Sequence, residues 1–174
     1  MTMITRRARW SLVLATSSLI ALGWAAFATS PPQLIYNASD SVPTGWYRIA
    51  PVSSLVTGDL VLVRLPPDAM VLAARRGYLP STVPLLKTVA AIAPQQVCVR
   101  SNYVLVDGQL RARQLHEDRQ GRALPAWQGC RRLVGDELFL LGNKPESFDS
   151  RYFGPVSVGA VIGRAQPLWL ESRR

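Results

Sequence analysis

Apolar positions fall into one long unbroken stretch followed by a series of short runs. Residues 10–28, WSLVLATSSLIALGWAAFA, hold no charged side chain. That length is just enough for a helix to cross a bilayer. Arg6, Arg7 and Arg9 precede it, so the expected orientation keeps residues 1–9 in the cytoplasm and translocates the rest. A cleaved leader is the rival reading, because Ala26-Phe27-Ala28 has the small-x-small form of a processing site. Pro31-Pro32 should end the helix. The expected organisation is thus a cytoplasmic tail (1–9), a transmembrane helix (10–28) and an extracytoplasmic domain (29–174).

Beyond residue 29 the periodicity changes. Leu60-Val61-Leu62-Val63 follows a Thr57-Gly58-Asp59 turn and reads as a buried strand. Pro66-Pro67 breaks it. Residues 69–76, AMVLAARR, read as a short helix with Asp68 as N-cap and Gly77 as C-cap. Leu85 to Ile92 is a further apolar run, interrupted by one lysine, Lys87. Val97-Cys98-Val99 alternates. Tyr103 to Val106, Asp107-Gly108 and Gln109-Leu110 form a hairpin signal. Residues 111–128 read as an exposed excursion, 137–142 as a strand, 143–154 as a polar loop, and 156–170 as one or two final strands. The pattern predicts a mainly β domain with a short helical insert.

Net charge is +9 over 174 residues. The arginines are dispersed, and no helix-turn-helix or RNP-like motif accompanies them. Anionic lipid headgroups are therefore the simpler partner, and nucleic acid is not expected. Cys98 and Cys130 give no zinc spacing and no CxxC motif. Outside the cytoplasm they could pair; two separate buried thiols fit the sequence as well.

Few residues offer chemistry. In Asn37-Ala38-Ser39-Asp40-Ser41-Val42-Pro43-Thr44-Gly45-Trp46-Tyr47, Pro43 presets φ and Gly45 permits a positive one. A serine held in such a turn can be a nucleophile, though ordinary Ser-x-Pro turns look the same. Ser41 stands 13 residues beyond Ala28. At no more than ~3.6 Å per residue it lies within about 47 Å of that residue. Lys87 has Leu85, Leu86, Val89 and Ala90 around it. If buried, its amine loses its proton more readily and can act as a base; on an edge strand it would point to solvent. His116, the one histidine, sits among charges in His116-Glu117-Asp118-Arg119 and reads as a solvated loop residue. No GxGxxG, GxxxxGK[ST] or HExxH pattern occurs, so neither metal nor cofactor is expected. Ser147, Asp149, Ser150 and Arg151 form a dense polar run. It reads either as an exposed hairpin loop or as the groups that hold a catalytic base.

These stretches, in this order behind an apolar N-terminal segment, resemble the signal peptidase I superfamily, and within it the TraF-type conjugative-transfer peptidases. The Ser41-to-Tyr47 stretch is similar to that family's Ser-x-Pro-x-Gly-x-Tyr motif. Gly58-Asp59-Leu60-Val61 resembles the strand that follows. Arg75-Arg76-Gly77-Tyr78-Leu79 resembles the TraF-type insert, and Lys87-Thr88-Val89 the Lys-Arg-Val box. Gly121 to Pro125 and Ser147 to Gly154 resemble two further family stretches. Thr88 replaces the usual arginine, Pro94-Gln95-Gln96 a Pro-Gly-Asp-like turn, and Gly142 to Pro145 is shorter than in general leader peptidases.

The resemblance implies a Ser–Lys endopeptidase. Ser41 would be the nucleophile and Lys87 the general base. The Ser41 backbone N–H, with the Ser39 hydroxyl, would bind the oxyanion. Ser147, Asp149 and Arg151 would support the lysine. Tyr47 and Trp46 are core or groove candidates. The implied substrate is a pilin or exported-protein precursor at the inner membrane, in a conjugative or type IV secretion system, with possible ring closure of the trimmed pilin. A general leader peptidase and a non-cutting, membrane-anchored pilus-assembly factor are the alternatives.

Overall fold

The computed structural model describes residues 2–27 and 33–171. The chain divides into two compact units, Met1–Pro31 and Pro32–Arg174. The first is one helix, α1 (Thr2–Phe27). Thr16, Ser17 and Ser18 dilute its apolar run, and their hydroxyls bond back to the carbonyls of Leu12, Val13 and Leu14. Among the described residues no helix is long and apolar enough to cross a membrane. Ala28, the end of the expected span, and the Pro31-Pro32 stop lie outside the described residues.

The second unit is mainly β. Its elements run β1 (Leu34–Asn37), β2 (Gly45–Ala50), β3 (Leu60–Val63), α2 (Pro67–Arg75), β4 (Leu85–Ile92), β5 (Gln96–Arg100), β6 (Tyr103–Val106), β7 (Gln109–Arg113), β8 (Gly129–Arg132), β9 (Glu137–Leu141), α3 (Ser150–Phe153), β10 (Val156–Ser157) and β11 (Val161–Leu170). They make a seven-stranded sheet, β1-β2-β11-β3-β4-β9-β10, and a four-stranded sheet, β7-β6-β5-β8. All pairings are antiparallel.

β4 lies inside the larger sheet, between β3 and β9. Three apolar clusters fix its surroundings. Val42, Tyr47, Ile49, Leu62, Leu86 and Ala165 pack beneath the Ser41 turn. Val61, Val63, Val89, Leu138, Leu140 and Val156 form a second group. The third joins the sheets, bringing Ala91, Phe139 and Leu141 of the larger one against Val97, Val99, Val104 and Val106 of the smaller one. Burial on this scale, at about 25 cal/mol per Å² of apolar surface, is what holds the sheets together.

The hairpin forms as the sequence predicts, with Asp107 and Gly108 both at positive φ. Cys98 and Cys130 face each other in the β5–β8 register and are joined as a disulfide, which decides between the two sequence readings.

Three expectations are corrected. Asp68 is not an N-cap: α2 starts two residues earlier than expected, on Pro67, whose fixed φ suits the first helical position, and Asp68 falls in the first turn. Its C-cap is Arg76, and Gly77 follows at φ +69°. Residues 111–128 are only partly an excursion, because Arg111–Arg113 complete β7 and Gln114 is buried. Residues 143–154 are not an exposed loop. Ser147, Asp149, Ser150 and Arg151 are all buried, and α3 forms within the stretch.

Candidate active site

Lys87 enters from the middle of β4, with Leu62 and Leu86 opposed across β3–β4. Its side chain is 2% exposed. Loss of solvation lowers its pKa to about 8; the negative charge of Asp149 resists this and Arg151 adds to it. Lys87 Nζ donates to Ser147 Oγ at 2.6 Å. The amine is therefore dry, partnered, and able to lose its proton near neutral pH.

Ser147 is placed by the residues that follow it. Asp149 is the N-cap of α3 and accepts from the Arg151 N–H. Its carboxylate also takes Arg151 Nε at 2.8 Å, Arg151 Nη2 at 2.7 Å and the Gly142 N–H at 2.8 Å. Both side chains are almost fully excluded from solvent. Arg151 Nη1 donates to the carbonyls of Arg113 and Pro145, and Nη2 is shared between the carboxylate and the carbonyls of Lys144 and Ser147. A guanidinium offers five donors in a rigid fork. Here they thread one loop around a buried ion pair and present Ser147 to the amine. Gln114 reinforces this by donating to the Arg151 carbonyl and to that of Trp127.

The Ser41 turn is organised from the other side by Asn37. Its carboxamide accepts from the Ser39 N–H at 3.1 Å, an Asx-turn, and from Ser39 Oγ at 2.8 Å. Its Nδ2 donates to the carbonyls of Ser39, Val42 and Pro43. Tyr47, fully buried, donates its hydroxyl to the Pro43 carbonyl at 2.6 Å and so belongs to the core. Trp46 is exposed and packs on Tyr36. Gly45 has φ +145°, and a Cβ there would stand 2.2 Å from the Trp169 carbonyl oxygen, so only glycine fits.

The two halves meet. The Asn143 N–H donates to the Ser41 carbonyl at 2.7 Å. Ser39, Ser41 and Ser147 line one groove of about 540 Å³, together with Leu85, Tyr78, Phe148 and Tyr152. Ser39 Oγ and Ser41 Oγ are 3.0 Å apart. In this structure the partner of Ser41 is thus Ser39, and that of Lys87 is Ser147; no hydrogen bond joins Ser41 to Lys87. The Arg75-to-Leu79 insert walls the groove: Tyr78 donates to Asp118, which also accepts from Arg122 Nε at 2.7 Å. His116 is exposed beside Asn102 and bonds to neither serine nor lysine. Among the described residues no group of ligands that could hold a metal occurs.

Two contributors escaped the sequence reading. Asn37 was legible as an Asx-turn former just before Ser39. Gly142 directly follows β9 where a Cβ would meet Ser147 Oγ at 2.0 Å and Lys87 Nζ at 3.2 Å, and a glycine beside a strand can mark such close approach.

The profile of the signal peptidase, peptidase S26, family matches residues 7–170. The chain belongs to that family. Its relatives there are conjugal transfer proteins of the TraF type. It is 34% identical over 142 residues to the conjugal transfer protein TraF of Agrobacterium fabrum, covering 76% of this chain and 80% of that one. It is 34% identical over 165 residues to the probable conjugal transfer protein TraF of Sinorhizobium fredii, covering 89% and 86%. The plasmid transfer protein TraF of Escherichia coli is 31% identical over 146 residues, covering 76% and 80%. Among solved structures, a signal peptidase I from Enterococcus faecalis aligns with a TM-score of 0.40 at 19% identity, over 65% of this chain and 97% of that one. Family and relatives together give a peptidase-like role connected with conjugation.

Proposed function

We propose that this protein is a membrane-anchored Ser–Lys endopeptidase that trims a pilin precursor for conjugative transfer. The observation that carries the reading is the buried, hydrogen-bonded Lys87 amine, held by a loop whose Asn143 N–H grips the Ser41 turn. In the proposed reaction Ser41 leaves Ser39 and turns to Lys87 as substrate enters; catalytic hydrogen bonds often tighten only in the substrate complex. Ser41 Oγ attacks the scissile carbonyl and Lys87 accepts its proton. The carbonyl oxygen, now negative, takes hydrogen bonds from the Ser41 N–H and the Ser39 hydroxyl. Lys87 then returns the proton to the leaving amine. Water hydrolyses the acyl-enzyme, or an amine of the same polypeptide attacks it and closes a ring.

The uncharged run at residues 10–28 behind Arg6, Arg7 and Arg9 supports an inner-membrane anchor with the catalytic domain in the periplasm. The disulfide is in keeping with an oxidising compartment. On this reading its partners are mating-pair components of a type IV secretion system.

The test is to incubate the detergent-solubilised full chain with candidate pilin precursor and weigh the products. Cleavage lost in both Ser41→Ala and Lys87→Ala, each still folded, supports the reading. Unchanged precursor with folded wild-type protein overturns it. Product masses also separate hydrolysis from ring closure.

A further inference from the structure

A second cavity, of about 530 Å³, lies against the same Gly142-to-Pro145 loop but includes neither Ser39 nor Ser41. Four cationic residues line it, Arg111, Arg113, Lys144 and Arg151, and no carboxylate does. Arg151 is neutralised by Asp149. The other three are not. Arg111 bonds only to the neutral Gln109 side chain at 3.0 Å, while Arg113 and Lys144 make no side-chain hydrogen bond or ion pair among the described residues. Arg111 and Arg113 are exposed and Lys144 is half-buried; by contrast Arg76 and Arg122 pair with Asp118, Arg131 with Glu137 and Arg164 with Asp59. Arg111 also lies within electrostatic range of Asp107, but with no carboxylate in the lining the three cations still focus a positive potential on the concavity and draw in an anion.

Lys144 says where the anion comes from, because it lines the Ser41 groove as well. Lys144 is the residue the two linings share, so the second cavity adjoins the groove there. We propose that this cavity is a subsite for acidic side chains of the polypeptide substrate, held by Arg111, Arg113 and Lys144. The proposal rests on reading the Ser41 groove as the peptide site. Arginine suits the task, since its planar fork receives a carboxylate on two N–H groups.

The experiment compares two synthetic peptides spanning the processed junction, with Glu pairs in one and Gln pairs in the other at matched positions on both sides of the scissile bond. KM and kcat are measured with the full chain in detergent, and binding is measured separately by fluorescence anisotropy on Ser41→Ala. The Glu peptide is expected to bind about fivefold more tightly, from charge pairs of the exposed kind. The gain should appear in KM rather than kcat, shrink with added salt, and vanish in the double variant Arg111→Gln/Arg113→Gln. Equal binding of both peptides overturns the proposal, as does a preference that survives in the double variant. Binding of inorganic phosphate or of vesicles with anionic headgroups, without discrimination between the peptides, also overturns it. If neither peptide is cut yet the anisotropy difference persists, the peptidase reading fails and the acidic subsite stands. If both are cut equally well and bind equally, the subsite alone fails.

Discussion

Lys87 and Ser147 are 60 residues apart in sequence and share a 2.6 Å hydrogen bond inside the domain. The amine is almost excluded from water, so the serine hydroxyl, together with the Asp149 charge, stabilises its protonated form between turnovers. Removing that hydroxyl leaves a buried donor without its partner, at a cost of about 1–3 kcal/mol. Ser147→Ala should therefore lower kcat by at least tenfold with little change in KM, and should shift the ascending limb of the pH–rate profile to lower pH. A titration of kcat against pH for both proteins checks this; an unmoved profile would reduce Ser147 to a packing residue.

The pH dependence of the wild type follows from the same amine. Burial holds its pKa at about 8 in the folded protein against 10.5 ordinarily. A base works when deprotonated, so the rate should climb with pH and level off above about 8. Stability has a separate sign. Between about pH 8 and 10.5 the unfolded chain binds the proton that the folded chain has lost, so Lys87 makes unfolding harder as pH rises through that window. Below it, both states are protonated and the full burial cost remains, up to about 3 kcal/mol. Lys87→Met should abolish cleavage yet melt no lower than wild type at pH 7, and its melting temperature should lose this contribution to the alkaline rise. Thermal melts at a series of pH values test both halves.

How far the sequence led to this site depended on the kind of residue. The strand that carries Lys87 was legible, because Leu85, Leu86, Val89 and Ala90 make apolar runs that only a strand covered on both faces tolerates. The hairpin at Asp107-Gly108 was legible from its turn chemistry. Residues 143–154 were not, because composition does not distinguish polar groups facing water from polar groups facing one buried guanidinium. Arg151 satisfies carbonyls from three positions of its own loop and one of β7, and no local pattern announces that. The polar run allowed either an exposed loop or the groups that hold a base, and the family resemblance favoured the second for Ser147 and Asp149. Cysteine pairing was undecided for a similar reason: the partner strand, β8, is a short polar segment whose register with β5 comes from tertiary structure.

That buried ion pair makes its own prediction. Breaking a buried pair by removing one partner typically costs about 3–5 kcal/mol, because the other charge stays behind. Asp149→Asn strands Arg151 and should lower the melting temperature sharply. Arg151→Lys keeps the charge but loses the fork, so the loop carbonyls of Lys144, Pro145 and Ser147 lose their donors. Arg151→Lys should therefore fold at reduced temperature with most activity gone. Calorimetry alongside cleavage assays separates the two; an active, normally stable Arg151→Lys would refute the threading role.

The disulfide belongs to the smaller sheet, and neither cysteine lines the groove. It closes a separation of 32 residues, which in the chain-entropy account is worth about 3–4 kcal/mol. Cys98→Ala/Cys130→Ala should lower stability by roughly that amount while keeping kcat near wild type at temperatures where it stays folded. A proportional loss of kcat at low temperature would instead tie the smaller sheet to catalysis.

Gly142 offers the sharpest test of the geometry, because the change is a single methyl group. A Cβ at this position would fall 2.0 Å from Ser147 Oγ and 2.7 Å from Ser147 Cβ. Both distances are shorter than any non-bonded contact, so Ser147 must move. The Asp149 carboxylate holds the Gly142 N–H at 2.8 Å, so the strand end is not free to retreat. Displacing Ser147 unseats the partner of the amine without removing any polar group from the site. Gly142→Ala should thus reproduce the kinetic defect of Ser147→Ala, and the double variant should be little worse than either single one, since both act through one contact. Full additivity in that cycle would mean that Gly142 acts through something other than the Lys87–Ser147 bond.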